Sequence, residues 1–305
     1  DQLSAGGIGV HRAVNFGNRI DVGECAILEE FGRDPAIKVI GMYLESVQDG
    51  PRFLQVAREI ARIKPIVILK GGRGEKGSRA TQAHSASLAG SYEMFQAVCA
   101  QTGIIETCGL GEFIDALGAL VLQPAPKGNR ALIVSNGGGM GVMLTDLCEQ
   151  AGFSLPEPSA RVQEYLRTVL PSYYSFKNPI DLTGSGTNEQ CTLAVKSILD
   201  AGEYDCLLMV LLSGTEGINA EIAPLLRSQL PKNITTVIGA YGRNLYPVLR
   251  AELIAEGIPV LPSGEAAAQA LNVLMRSRPA KPETASLRSP VFYNNAPTRG
   301  WLGKL

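Results

Sequence analysis

The stretch IVILKGGRGEKGSRATQAHSASLAGSYEMF, residues 66–95, decides how the chain is read. It opens on a short run of β-branched and apolar residues, passes through four closely spaced glycines mixed with charge, and ends in a segment of helical spacing. A strand, a connection and a helix in that order are one turn of a parallel α/β layer. Residues 70–87 are expected to form a long Gly-rich loop. His84 stands near the end of that loop and is one of only two histidines in the chain. Its neutral imidazole is a nucleophile near neutral pH, whereas the bland reading is an exposed loop side chain; both stay open at this level.

The same alternation extends in both directions. Upstream, IKVIGMYL (residues 37–44) is a continuous apolar run, and residues 51–63 have helical spacing. Downstream come a helix over 88–102, a short apolar pair at 104–105 and a helix over 110–121. Continuous apolar strands between amphipathic helices predict strands buried on both faces, so the fold class is α/β with a doubly wound parallel sheet. The chain turns to QPAPKGNR at residues 123–130, a Pro/Gly/charge punctuation. This predicts a first domain over 1–122, a linker over 123–128 and a second domain over 129–276.

In the second domain the strands are expected at 131–135, 206–212, 235–239 and 258–261. The helices include 142–151, with Gly152 as its terminator, and 264–275. Residues 277–305 lack periodicity and are expected to be an extended tail or linker. His11 has no glycine-rich helix start beside it and is read as structural. Residues 178–181, Asn-Pro-Ile-Asp, are read as a turn.

With 305 residues, 45% hydrophobic and 19% charged, the chain is long enough for two full cores. A net charge of −1 gives no footprint for nucleic acid or an anionic membrane. No apolar run approaches the roughly 18 residues of a membrane span. The six cysteines have no metal-ligand spacing and read as reduced thiols, which points to a cytoplasmic protein without a structural metal.

Asn136, Gly137, Gly138, Gly139 and Gly141 lie in NGGGMG between a strand and a helix. Such a turn can aim main-chain N–H groups and a helix dipole at an anion, or it can simply let a helix pack closely on a strand. The nucleotide patterns fail: Val142 takes the third position of a GxGxxG, and the GK[ST] of a P-loop is missing after Gly77.

Five stretches taken together, residues 7–24 (GIGVHRAVNFGNRIDVGE), 39–53 (VIGMYLESVQDGPRF), 64–90, 126–142 (PKGNRALIVSNGGGMGV) and 177–184 (KNPIDLTG), resemble the NDP-forming acyl-CoA synthetases. That is the family of ADP-forming acetyl-CoA synthetase, related to succinyl-CoA synthetase. The resemblance implies two consecutive flavodoxin-like domains and a reversible reaction in which acyl-CoA, ADP and phosphate give acid, CoA and ATP. It implies that His84 carries the phosphoryl group as a phosphohistidine, and that Glu45 holds the other ring nitrogen. It further implies that residues 137–141 form part of a phosphate cradle.

By the same resemblance Lys70, Arg73 and Arg79 would guide phosphate, and Gly71, Gly72, Gly74 and Gly77 would let the histidine loop move. CoA and ADP/ATP would be co-substrates, with Mg on a nucleotide domain. A CoA-binding Rossmann domain and an ATP-grasp domain would be partners, making the chain a fragment or subunit in a homo- or hetero-oligomer. Ala83, Ser85 and Ala86 depart from the family's Ser-His-Thr-Gly. A non-catalytic ligand-sensing or assembly module with the same fold is the alternative.

Overall fold

The computed structural model describes residues 2–5, 7–85, 91–213 and 217–278. The side chains of 82–85 and the expected tail beyond 278 lie outside the described residues. The chain builds two parallel sheets. The first contains β1 (Ile40–Leu44), β2 (Ile66–Lys70) and β3 (Ile105–Thr107), side by side in sequence order. Helices α2 (Glu24–Arg33), α3 (Gly50–Ala61) and α5 (Tyr92–Thr102) contribute Leu28, Phe53, Val56 and Phe95 to the core against Ile40, Met42, Ile66 and Ile68. Helix α6 (Leu110–Leu122) covers the opposite face. It comes so near β1 that a Cβ on Gly41 would stand 2.9 Å from both Leu117 and Phe113.

The second sheet has the order β5-β4-β6-β7-β8, with β4 at Ala131–Ser135, β5 at Ile180–Asp181, β6 at Cys206–Leu212, β7 at Thr235–Tyr241 and β8 at Val260–Leu261. Counted from β4 this is 2-1-3-4-5, the flavodoxin order. Every residue of β4 is buried, as a strand covered on both faces requires. One face carries α8 (Ala160–Val169), α9 (Asn188–Leu199), α10 (Ile222–Gln229) and α11 (Leu245–Leu253). The other carries α7 (Gly138–Gln150) and α12 (Gly264–Arg276).

The two sheets share a core. Val67 and Ile105 of the first sheet and Ala116, Leu117 and Leu120 of α6 join one cluster with Ile133, Leu144, Val210 and Leu271 of the second half. The stretch read as a linker is pinned. Gln123 donates through Nε2 to Gly257 O at 2.6 Å and accepts from the Thr236 N–H at 3.2 Å, while Thr235 Oγ1 donates to Pro124 O at 3.1 Å.

Two local expectations are overturned. The long loop after β2 is mostly helix: α4 spans Glu75–Ser85, and among the described residues only 71–74 connect it to β2. Glu75 sits in its first turn, where a carboxylate suits the helix dipole. Residues 178–181 are more than a turn, because Ile180 and Asp181 pair with Val134 and Ser135 as an edge strand. The helix expected over 88–102 starts at Tyr92 behind the cap Ser91, whose hydroxyl accepts from Met94 N–H; residues 88–90 lie outside the described residues.

Candidate functional site

Parallel strands deliver their next residues to one edge of the sheet, the edge where α/β proteins bind ligands. Leu44 is paired with Lys70, so Glu45 and Gly71 leave the sheet side by side, and Gly71 N–H donates to Leu44 O at 2.9 Å. A Cβ on Gly71 would stand 2.8 Å from Tyr43 Oη and 3.4 Å from Glu45 Cγ. Only a glycine lets both side chains occupy that spot unmoved. Tyr43 is in β1 and Glu45 is the first residue beyond it, and Tyr43 Oη donates to Glu45 Oε1 at 3.2 Å. Burial, then the Glu45 charge and this hydrogen bond, raise the Tyr43 phenol above its ordinary pKa.

The turn after β2 folds α4 back towards this edge. Gly72 has φ +69°, and a Cβ on it would be 2.7 Å from Thr81 Oγ1 of α4. His84 lies in the last turn of α4; its side chain is outside the described residues.

Each of the three cations expected to guide phosphate has partners within the protein. Lys70 is buried, and its Nζ donates to Glu45 O at 2.6 Å and to Gly71 O. Burial holds its ammonium below the usual lysine pKa. Arg73 Nε donates to Lys70 O at 3.1 Å and pairs with Glu106 at 3.3 Å, and its Nη2 donates to Thr107 O. Arg79 pairs with Glu75 one helical turn away on an exposed face. Buried cations near a sheet edge are here spent on main-chain carbonyls that the end of a strand leaves unpaired.

A further cluster escaped sequence reading. Arg19, at φ 59°, donates to Ser46 O at 2.7 Å and Ser46 Oγ at 2.5 Å, and pairs with Glu24 at 3.4 Å. Glu24, 1% exposed, also accepts from Gln48 N–H at 2.7 Å. The only sign of it in the sequence is that Arg19 and Glu24 fall in the stretch 7–24, and Ser46 and Gln48 in the stretch 39–53, that carry the resemblance. His11 stands 3.3 Å from Asp34, in an ion-pair group with Arg12.

At the second sheet, Asn136 is 1% exposed and faces its own fold. Its Nδ2 donates to Leu212 O at 3.0 Å and its Oδ1 accepts from Leu212 N–H at 2.8 Å, joining the ends of β4 and β6. Ser135 Oγ accepts from Gly137 N–H at 3.1 Å. Three of the glycines leave little room for a side chain unless a neighbour shifts. A Cβ on Gly137 would meet Leu212 at 2.3 Å, one on Gly138 would meet Asp181 Oδ2 at 2.6 Å, and one on Gly141 would meet Pro179 at 3.3 Å. Gly139 alone among them has nothing within 4 Å. Helix α7 starts without a side-chain cap, and the Asp181 carboxylate lies against its first turn.

All six cysteines are free, five of them buried. Among the described residues no cluster suits a metal ion, and no helix is long and apolar enough to cross a membrane.

A three-stranded parallel sheet, joined through a shared core to a second sheet of flavodoxin order, makes the chain a pair of α/β units with a carboxylate at one sheet edge. Residues 1–120 match the family model described as succinyl-CoA ligase like flavodoxin domain. The alpha subunit of ADP-forming acetate–CoA ligase I from Pyrococcus furiosus is 32% identical over 276 residues, covering 88% of this chain and 59% of that protein. ADP-forming 4-hydroxybutyrate–CoA ligase of Nitrosopumilus maritimus is 28% identical, over 90% of this chain and 40% of its own length. The solved dinucleotide forming acetyl-coenzyme A synthetase 1 of Ca. Korarchaeum cryptofilum, in complex with phosphate and ADP, superposes with a TM-score of 0.84 at 27% identity. That likeness covers 90% of this chain and 61% of that one. The chain belongs to the NDP-forming acyl-CoA synthetase family. It spans less than two thirds of each of these relatives.

Proposed function

We propose that this chain is the phosphohistidine-carrying part, a fragment or a subunit, of an NDP-forming acyl-CoA ligase. The observation that carries the reading is the seating of Glu45 against Gly71 at the start of the only turn that leads to the helix bearing His84. An acyl phosphate, made from acyl-CoA and phosphate with release of CoA, meets the imidazole. One ring nitrogen attacks phosphorus, the bond from phosphorus to the acyl oxygen breaks, and the carboxylate leaves as the acid. The Glu45 carboxylate accepts a hydrogen bond from the other ring N–H and stabilises the positive charge that develops. ADP then takes the phosphoryl group, giving ATP and the neutral histidine.

The start of α7 serves as a cradle for the phosphohistidine, with the N–H groups around Gly139 and the helix dipole facing the anion. Asn136 braces that turn through Leu212 rather than touching phosphate. CoA and the nucleotide, with its Mg, are held by a CoA-binding Rossmann domain and an ATP-grasp domain as partners in an oligomer in the cytoplasm.

The test is labelled ATP supplied with an ATP-grasp partner from the same family. Acid-labile, base-stable label on this chain that disappears in His84→Ala supports the reading. Label that persists in His84→Ala overturns it, and no label on the wild type supports the non-catalytic module.

A further inference from the structure

A buried lysine and a largely buried arginine grip two consecutive main-chain carbonyls, that of the proposed histidine partner and that of the residue after it. Lys70, 6% exposed, donates to Glu45 O at 2.6 Å and also to Gly71 O, tying the end of β1 to the end of β2. Arg19, with 11% of its side chain exposed, donates to Ser46 O at 2.7 Å and Ser46 Oγ at 2.5 Å. Arg19 is itself held by the nearly buried Glu24, which also receives the Gln48 N–H. The segment 45–48 is therefore held at Glu45 O, Ser46 O and Gln48 N, directly after the Cα from which the Glu45 carboxylate extends.

Burying a lysine and an arginine is costly unless each finds partners. A strand end could be closed by neutral hydroxyls or amides at less cost. Spending two cations on adjacent peptide units makes sense where a displacement of a few tenths of an ångström matters.

We propose that Lys70 and Arg19 are positioning residues that act through Glu45, holding its carboxylate at the spacing the phosphohistidine needs. The inference rests on the phosphohistidine reading, and its test separates the two. Neither residue touches the reacting atoms. Lys70 fixes the carbonyl of Glu45 itself, Arg19 fixes the next residue along the chain through Ser46 O and Oγ, and Tyr43 completes the arrangement by its bond to Oε1.

The experiment compares the wild type with Lys70→Met, Glu45→Gln and the double variant. The rate of His84 labelling from ATP with an ATP-grasp partner is read alongside the unfolding temperature. Each single variant is expected to slow labelling about 10- to 100-fold, and the double variant to be no slower than Glu45→Gln, because a residue that works through Glu45 has nothing left to position. Losses that multiply in the double variant, or a Lys70→Met rate equal to the wild type, overturn the proposal.

Should Lys70→Met fail to fold, Arg19→Lys answers the same question. It keeps the charge but not the forked grip on Ser46, and the same slowing and non-additivity are expected. If the wild type takes no label, the phosphohistidine reading fails and the positioning claim is read separately by carbon NMR of the Glu45 carboxylate. There, Tyr43→Phe is expected to shift that resonance in the wild type and not in Lys70→Met; the same shift in both overturns the claim.

Discussion

Gly71 and Tyr43 approach so closely that one methyl group on the glycine would lie 2.8 Å from the tyrosine hydroxyl. Tyr43 is 57% exposed, so it can swing aside at little cost in stability, and only its bond to Glu45 would be lost. Gly71→Ala is thus expected to leave the unfolding free energy within about 1 kcal/mol of wild type. Labelling of His84 should slow about tenfold, the worth of one hydrogen bond to a charged group. Thermal unfolding and the labelling rate, measured on one preparation, check both halves.

Asn136 and Gly139 sit three residues apart yet should respond in opposite ways. Asn136→Ala strands the buried N–H and C=O of Leu212 and is expected to cost about 2–4 kcal/mol. Gly139→Ala meets no atom within 4 Å and lies inside α7, so it should be neutral or stabilise by up to about 1 kcal/mol. If the start of α7 is the cradle, Gly139→Ala slows phosphoryl transfer while raising stability. Chemical denaturation and the labelling rate distinguish the two effects.

Asp205 gives a pH-dependent prediction. Burial pushes its carboxyl pKa up, but hydrogen bonds from Arg130, through its main-chain N–H at 3.0 Å and its guanidinium at 3.1 Å, outweigh that and hold it below the ordinary aspartate range. A folded-state pKa below the unfolded one adds stability above the unfolded pKa, and this is lost as pH falls through the folded value. Asp205→Asn should therefore cost about 1–3 kcal/mol near neutral pH. Its unfolding curve should converge on the wild type as pH drops from about 4 towards 2, which a pH series of urea melts would record.

The thiols predict a simple titration. Burial raises Cys25 to about 11 and Cys99, Cys148 and Cys191 to about 12, and pushes Cys206 higher still. Because the thiolate is the reactive form, these five should be inert to a disulfide reagent at pH 8 in the folded protein. The exposed Cys108 should react within minutes. One fast equivalent, lost in Cys108→Ser, is the expected count.

Much of the fold could be read from runs such as 131–135 and 206–212, because a strand buried on both faces leaves an unbroken apolar signature. Helix α4 could not. It carries Lys76, Gly77 and Arg79 and no apolar stripe, so composition spoke for a loop where the backbone bonds of a helix prevail. The strand at Ile180–Asp181 is two residues long and hidden behind Pro179. Among the candidate residues, Glu45 could be picked out only through the resemblance carried by the stretch 39–53. The grip of Lys70 and Arg19 could not, since both bind main-chain oxygens, which every residue has and no sequence pattern marks.

The core common to the two sheets also limits how genes for such proteins can be cut and rejoined. Val67, Ile105 and Leu120 pack with Ile133, Val210 and Leu271, and Gln123 is tied to both Thr236 and Gly257. A break placed between residues 122 and 123, where composition suggests a seam, would expose apolar surface on both products. Shuffling of these halves between relatives should succeed only when the sheets travel as a pair, with the crossover points falling outside them.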